Sequence, residues 1–143
     1  MLKRWTAMAA GVLIAAAACG GGDATSPNGV TGTYTLRSVN GIKVPAVAFQ
    51  SLTEKDEVTG GSITLNSDRS WSAALNVRVT ELQSGGSATF SAPFNGTYTT
   101  SGTSITITEA STGSHLGGTI GGGALTLAGD IGFGSTTSLE FTK

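Results

Sequence analysis

From residue 31 onward the chain alternates apolar and polar positions with a period of two, and it does so repeatedly. Tyr34 and Leu36 alternate with Thr33, Thr35 and Arg37. Ile63 and Leu65 alternate with Ser62, Thr64 and Asn66. The longest run sets Trp71, Ala73, Leu75, Val77 and Val79 against Ser72, Asn76, Arg78 and Thr80. Phe90, Ala92 and Phe94 continue in phase through Gly96 to Tyr98. Ile105 with Ile107, Leu116 with Ile120, Leu125 with Leu127, and Leu139 with Phe141 follow. Successive side chains of a strand point to opposite faces, so each segment predicts a half-buried strand.

The segments are joined by short connectors rich in turn formers: Asn66-Ser67-Asp68-Arg69, Ser84-Gly85-Gly86, Ser101-Gly102 and Gly121-Gly122-Gly123. Short turns join antiparallel neighbours, so the strands form a meander. A sheet of about eight strands with one apolar face, and no helix to cover it, closes as a barrel or folds over as a sandwich. Consecutive tight hairpins favour an all-β, antiparallel up-and-down barrel, which also removes exposed edges. The last strand, ending Leu139-Glu140-Phe141, is then expected to pair with the first, near Tyr34. One connection breaks the rhythm. Residues 42–58 run from apolar (Ile42 to Phe49) to charged (Glu54, Lys55, Asp56, Glu57), too long a stretch for a hairpin turn. A short helical turn is expected there, folding over one end of the barrel as a lid. On the outermost phases, Leu75 is expected in the core and Asn76 at the surface.

The first residues have a different character. Lys3 and Arg4 precede an apolar run of 12 residues, Ala7 to Ala18, and small residues lead into Cys19, the only cysteine. The run is shorter than the roughly 20 residues of a bilayer-spanning helix and has the basic flank and small-residue exit of a secretory signal. With the cysteine at the boundary the arrangement resembles a lipobox, with Ala16 where that pattern usually has Leu. The resemblance implies removal of residues 1–18, a diacylglycerol on the Cys19 sulfur, and a protein held to a membrane by its acyl chains. Gly20, not Asp, follows Cys19, which favours the outer over the inner membrane of the cell envelope. Residues 19–30 read as the lipidated cysteine and a Gly- and Ser-containing flexible tether, and residues 31–143 as one domain.

Loss of Lys3 and Arg4 with the signal leaves six basic and nine acidic residues, a net charge of −3. No basic patch supports a nucleic-acid partner. The chain holds 16 Ser, 22 Thr and 22 Gly, a composition that suits strands and tight turns over helices.

The stretch Gly32-Thr33-Tyr34-Thr35-Leu36, then Val39-Asn40-Gly41 and Pro45, resembles the opening of the small lipocalin-like domains of bacterial lipoproteins. Gly61-Ser62-Ile63-Thr64-Leu65-Asn66-Ser67-Asp68-Arg69-Ser70-Trp71 is similar to their second hairpin, and Tyr34 stands where lipocalins often carry Trp. The resemblance covers residues 31–142. It implies a lipocalin-like barrel that binds a small apolar molecule under a long first loop. The candidate contact residues are Tyr34, Leu36, Phe49, Trp71, Leu75, Phe90, Phe94 and Tyr98, which are equally candidates for simple core.

Candidates for catalysis are few. His115 is the only histidine and flanks the apolar phase, so an outward position is expected. There is no G-x-S-x-G and no H-E-x-x-H, and the Gly-rich stretch 117–123 does not lead into a helix that would cradle a phosphate. Glu54, Asp56 and Glu57 lack the spacing of a calcium loop. Arg37 and Arg78 fall on polar phases and are expected at the surface. No catalytic residue, metal or cofactor is assigned. Three readings stay open: a binding module for a small apolar ligand, a non-catalytic module that engages an envelope protein as inhibitor or assembly partner, and, least supported, an enzyme. An eight-stranded interior is just wide enough to be filled by side chains or to hold one small ligand.

Overall fold

The computed structural model describes residues 29–143; the signal segment, Cys19 and all of the tether up to Asn28 lie outside the described residues. The described chain is all-β with antiparallel neighbours throughout. Its strands are β1 (Gly32–Val39), β2 (Ile42–Lys43), β3 (Ala46–Gln50), β4 (Glu54–Leu65), β5 (Ser70–Glu81), β6 (Ser87–Ser101), β7 (Ser104–Glu109), β8 (His115–Gly121), β9 (Ala124–Asp130) and β10 (Thr136–Thr142). Eight of them close an up-and-down barrel, each paired to the next in the order β4, β5, β6, β7, β8, β9, β10, β1. The seam is double. Leu36 pairs with Phe141 and Val39 with Leu139 on one side of β1. Tyr34 pairs with Ile63 on the other side. Closure of the last strand on the first, expected from the alternation, is therefore present.

Two hairpins show how local chemistry sets the path. Asn40 and Gly41 both have positive φ, 51° and 77°, and link β1 to β2 with Val39 opposite Ile42. Gly122 and Gly123, at 59° and 78°, do the same between β8 and β9. Two consecutive left-handed residues twist a two-residue turn the way the flanking strands twist, which is why Asn-Gly and Gly-Gly sit there.

The core follows the predicted phase. Tyr34, Leu36, Ile63, Leu65, Trp71, Leu75, Val77, Tyr98, Ile105, Ile107, Leu116, Ile120, Leu125, Leu127, Leu139 and Phe141 are all buried, and Asn76 is exposed. His115 is exposed, and its Nδ1 lies 2.9 Å from the Thr108 hydroxyl on the outer face.

Residues 42–58 differ from expectation. They hold no helix: they form β2, β3 and the first part of β4, and β3 pairs with β4 from Ala46–Val58 to Gln50–Lys55. The charged stretch is regular strand, paired residue for residue with β5 from Glu54–Glu81 to Val58–Val77. Val58 is buried, while Glu57 turns outward and meets Arg78 on β5, directly opposite in the register, at 2.8 Å, with Lys55 at 3.4 Å. These pairs and the β3–β4 ladder hold the segment in the sheet, and its apolar half does not form a helical lid.

The ends of the barrel are unlike. At one end lie the β4–β5, β6–β7 and β8–β9 turns together with the first residue of β1, where the Lys143 N–H donates to the Gly123 carbonyl at 2.8 Å. The described chain therefore enters the barrel at this end. At the other end lie the β5–β6, β7–β8 and β9–β10 connections. There β6 outruns its neighbour: it spans 15 residues, but β7 pairs only with Gly96–Ser101. The half of β6 from Ser87 to Asn95, with β5 and β4, projects past the barrel rim as a flange.

Candidate functional site

The end at which the chain enters is packed shut. Leu65, Ile105, Ile120 and Leu125 fill it together with Tyr34 and Tyr98. The Tyr34 hydroxyl donates to the Val30 carbonyl at 2.6 Å, and the Tyr98 hydroxyl donates to the Asn66 carbonyl at 2.7 Å. Both phenols thus find partners where they are buried, as buried tyrosines usually do. Burial pushes both above the ordinary tyrosine value. The Lys143 ammonium lies 5.0 Å from the Tyr34 ring centre, within cation–π range.

Above this plug the interior opens into a cavity of about 380 Å³, within the size range of small-molecule sites. Ile63, Trp71, Ile107, Leu127 and Phe141 line its lower part; Leu75, Phe94, Leu116 and Leu139 line its walls. Trp71 is fixed there by its indole N–H, shared between the carbonyls of Thr97 at 3.0 Å and Thr108 at 3.2 Å. The rim is polar, with Glu109, Ser111, Thr112 and Ser114 from the β7–β8 turn region and Asp130 and Gly132 from the β9–β10 connection. A second cavity, of about 150 Å³, shares Leu75, Phe94, Ile131 and Gly132 with the first and runs along the flange past Val77, Phe90, Ala92 and Phe133 to Asp56.

Of the candidate contact residues, Trp71, Leu75 and Phe94 come together on the main cavity, and Phe90 joins Leu75 and Phe94 on the smaller one. Tyr34, Leu36 and Tyr98 are buried but line neither cavity. Phe49 also lines neither, because β3 lies beside β4, and it is partly exposed. Phe90 is 50% exposed because it sits on the flange, where no strand packs beyond β6. The inward glycines do not leave the room that their size suggests. A Cβ on Gly96 would overlap the Thr108 carbonyl oxygen, and one on Gly118 would overlap that of Thr126. They permit close backbone approach between neighbouring strands.

Sequence reasoning placed Ile63, Ile107, Leu116, Leu127, Leu139 and Phe141 on the apolar phase without naming them as contacts, and it missed Asp56, Glu109, Asp130, Ile131 and Phe133 altogether. For Asp56 a signal existed: it shares the parity of Val58. The others lie in or beside turns, whose direction alternation does not report. The rim carboxylates are mostly satisfied. Glu109 Oε2 accepts hydrogen bonds from the Ser111 hydroxyl at 2.7 Å and from the Thr112 N–H and hydroxyl at 2.7 and 2.8 Å. These donors, Ser111 foremost, hold its carboxyl down to about 2. Asp130 Oδ1 accepts from the Gly132 N–H at 2.8 Å. No lysine, arginine or histidine lines either cavity among the described residues. His115 and the rim hydroxyls form no nucleophile–base pair among the described contacts, and no group of three His, Cys, Asp or Glu residues suited to a metal ion occurs among the described residues.

Comparison with protein-family models, with curated proteins and with solved structures finds no match to this chain.

Proposed function

We propose that this protein is a non-catalytic carrier, held to a membrane of the cell envelope by lipid on Cys19, that binds a small apolar ligand inside its barrel. One observation carries the binding reading: an eight-stranded interior that side chains could fill instead keeps a cavity of about 380 Å³, closed below by packed residues and ringed by polar groups above. Apolar walls supply affinity by removing ligand surface from water, worth roughly 25 cal/mol per Å². The sparse polar rim suits orientation of a ligand, as in small-molecule sites generally.

The test uses the full chain with Trp5→Phe, which leaves Trp71 as the sole indole. Fatty acids, isoprenoid alcohols and small aromatics are titrated against Trp71 emission. At least one class is expected to shift the emission saturably with one site. Ala73→Leu, which places a larger side chain into the cavity wall, is expected to abolish the shift while the β-type circular dichroism is kept. A flat titration across all three classes would overturn the reading.

The anchor is tested separately. Cys19→Ser is expected to abolish acyl labelling and to move the protein out of the detergent-extracted membrane fraction. Unchanged labelling and fractionation would refute lipid attachment at this residue.

A second reading has its own observation. Ser87–Phe94 of β6 is hydrogen-bonded to β5 on one side and, among the described residues, has no strand on the other. An open edge can add a strand from another chain, and this supports a protein-interaction role. Pro93, which removes one donor from that edge, opposes it.

A further inference from the structure

Among the described residues, Asp56 is the cavity-lining carboxylate that accepts no hydrogen bond. Its Oδ1 is shielded from solvent and accepts no hydrogen bond from any described residue. Buried polar atoms in folded proteins are nearly always paired, because an unmade bond costs the full desolvation of the group. Asp56 also lines the smaller cavity, with Leu75, Val77, Phe90, Phe94 and Phe133.

The nearby cations do not serve it. Arg78 and Lys55 both bond Glu57, whose strand neighbour Asp56 points to the opposite face of the sheet. The other two carboxylates of the cavities, Glu109 and Asp130, already accept hydrogen bonds from their own turns. Three acidic groups and no basic one therefore line the two adjoining cavities among the described residues. An anionic head group meets no positive partner there. A cation meets the Asp56 carboxylate, which no described side chain or backbone N–H bonds, with the rings of Phe90, Phe94 and Phe133 lining the same space. Aromatic faces attract cations electrostatically, more strongly when water is excluded.

We infer that the site takes an apolar ligand carrying a protonated amine, with the hydrocarbon part in the main cavity and the ammonium group donating to Asp56. This rests on the small-ligand reading and names the chemical class that the site selects. The hydrocarbon and the head group fall in adjoining cavities that share Leu75 and Phe94, a separation that suits one linear molecule.

Decylamine, 1-decanol and decanoate share one alkyl chain and differ in head-group charge. Each is titrated, below its micelle concentration and at neutral pH, against Trp71 emission of the full chain carrying Trp5→Phe. Decylamine is expected to bind about tenfold to a hundredfold more tightly than 1-decanol, the range for a hydrogen bond to a charged group, with decanoate weakest. Asp56→Asn keeps the shape and removes the charge. It is expected to bring decylamine to the level of 1-decanol while leaving 1-decanol within about twofold. Its thermal midpoint is expected to be at or above the parent value, since the substitution removes a charge with no partner. If 1-decanol and decanoate bind but decylamine has no preference, or if the preference survives Asp56→Asn, the inference falls and the small-ligand reading stands. If none of the three binds, the inference falls, and the titration with isoprenoid alcohols and small aromatics decides the small-ligand reading. A thermal midpoint well below the parent value would mean that Asp56 has a structural partner, and would also overturn the inference.

Discussion

Gly118→Ala is expected to destabilise the domain by about 3 kcal/mol or more, while Gly117→Ala, one residue earlier, changes stability by less than about 0.5 kcal/mol. Both glycines lie in β8, and neither has a positive φ, so backbone strain does not separate them. Space does. A Cβ on Gly117 meets nothing within 4 Å. A Cβ on Gly118 would overlap the Thr126 carbonyl oxygen and stand 3.0 Å from the Leu127 Cα on the adjacent strand. Those are backbone atoms in a hydrogen-bonded ladder, where Gly118 pairs with Leu127. They cannot move aside like the end of a flexible side chain, so relief requires β8 and β9 to part. The cost is a large share of the roughly 5–15 kcal/mol that stabilises a typical domain, and a fraction of the variant is expected to be insoluble. Urea unfolding of the two variants makes the comparison. Equal midpoints would mean that β8 and β9 do not approach this closely.

The second large effect is a contrast between two leucines. Leu125→Ala is expected to cost about 4–5 kcal/mol, Leu75→Ala nearer 2 kcal/mol, and Asn76→Ala less than about 0.5 kcal/mol. Leu125 is 0% exposed and belongs to the packed end, so truncation opens a new void among atoms that touch it on every side. Leu75 is 4% exposed yet borders both cavities. Part of its surface already faces empty space, so fewer contacts are lost when it is shortened. Asn76 projects from the outer face. Denaturant midpoints at constant slope measure all three. Equal costs for the two leucines would show that the cavity is collapsed in solution. Equal costs for Leu75 and Asn76 would show that the phase of β5 is wrong.

The alternation was a reliable guide because it is local: whether Leu36 or Arg37 faces inward depends on one strand's own pleat. Closure through Leu36 and Phe141 followed from the lack of any other cover for one apolar face. The errors sit where the answer depends on a distant partner. Glu54 to Glu57 resemble a solvated loop until Arg78 is known to lie across from Glu57. Phe90 has the right parity, but parity does not say where a barrel stops, and β6 continues past its last pairing with β7. At Gly96 and Gly118 the missing side chain suggests empty room, but the neighbouring backbone takes its place. Asp56 carried the same parity signal as Val58, and it was hidden by the charged residues on either side of it.

The point at which the chain enters the barrel has a directional consequence. Gly29 and Val30 arrive beside Tyr34, at the packed end, opposite the rim formed by the β7–β8 and β9–β10 connections. Any anchor joined through the preceding residues therefore pulls on the floor of the cup and not on its lip. An anchor at Cys19 would thus join the domain on the side opposite its acidic mouth, leaving the mouth free of the attachment.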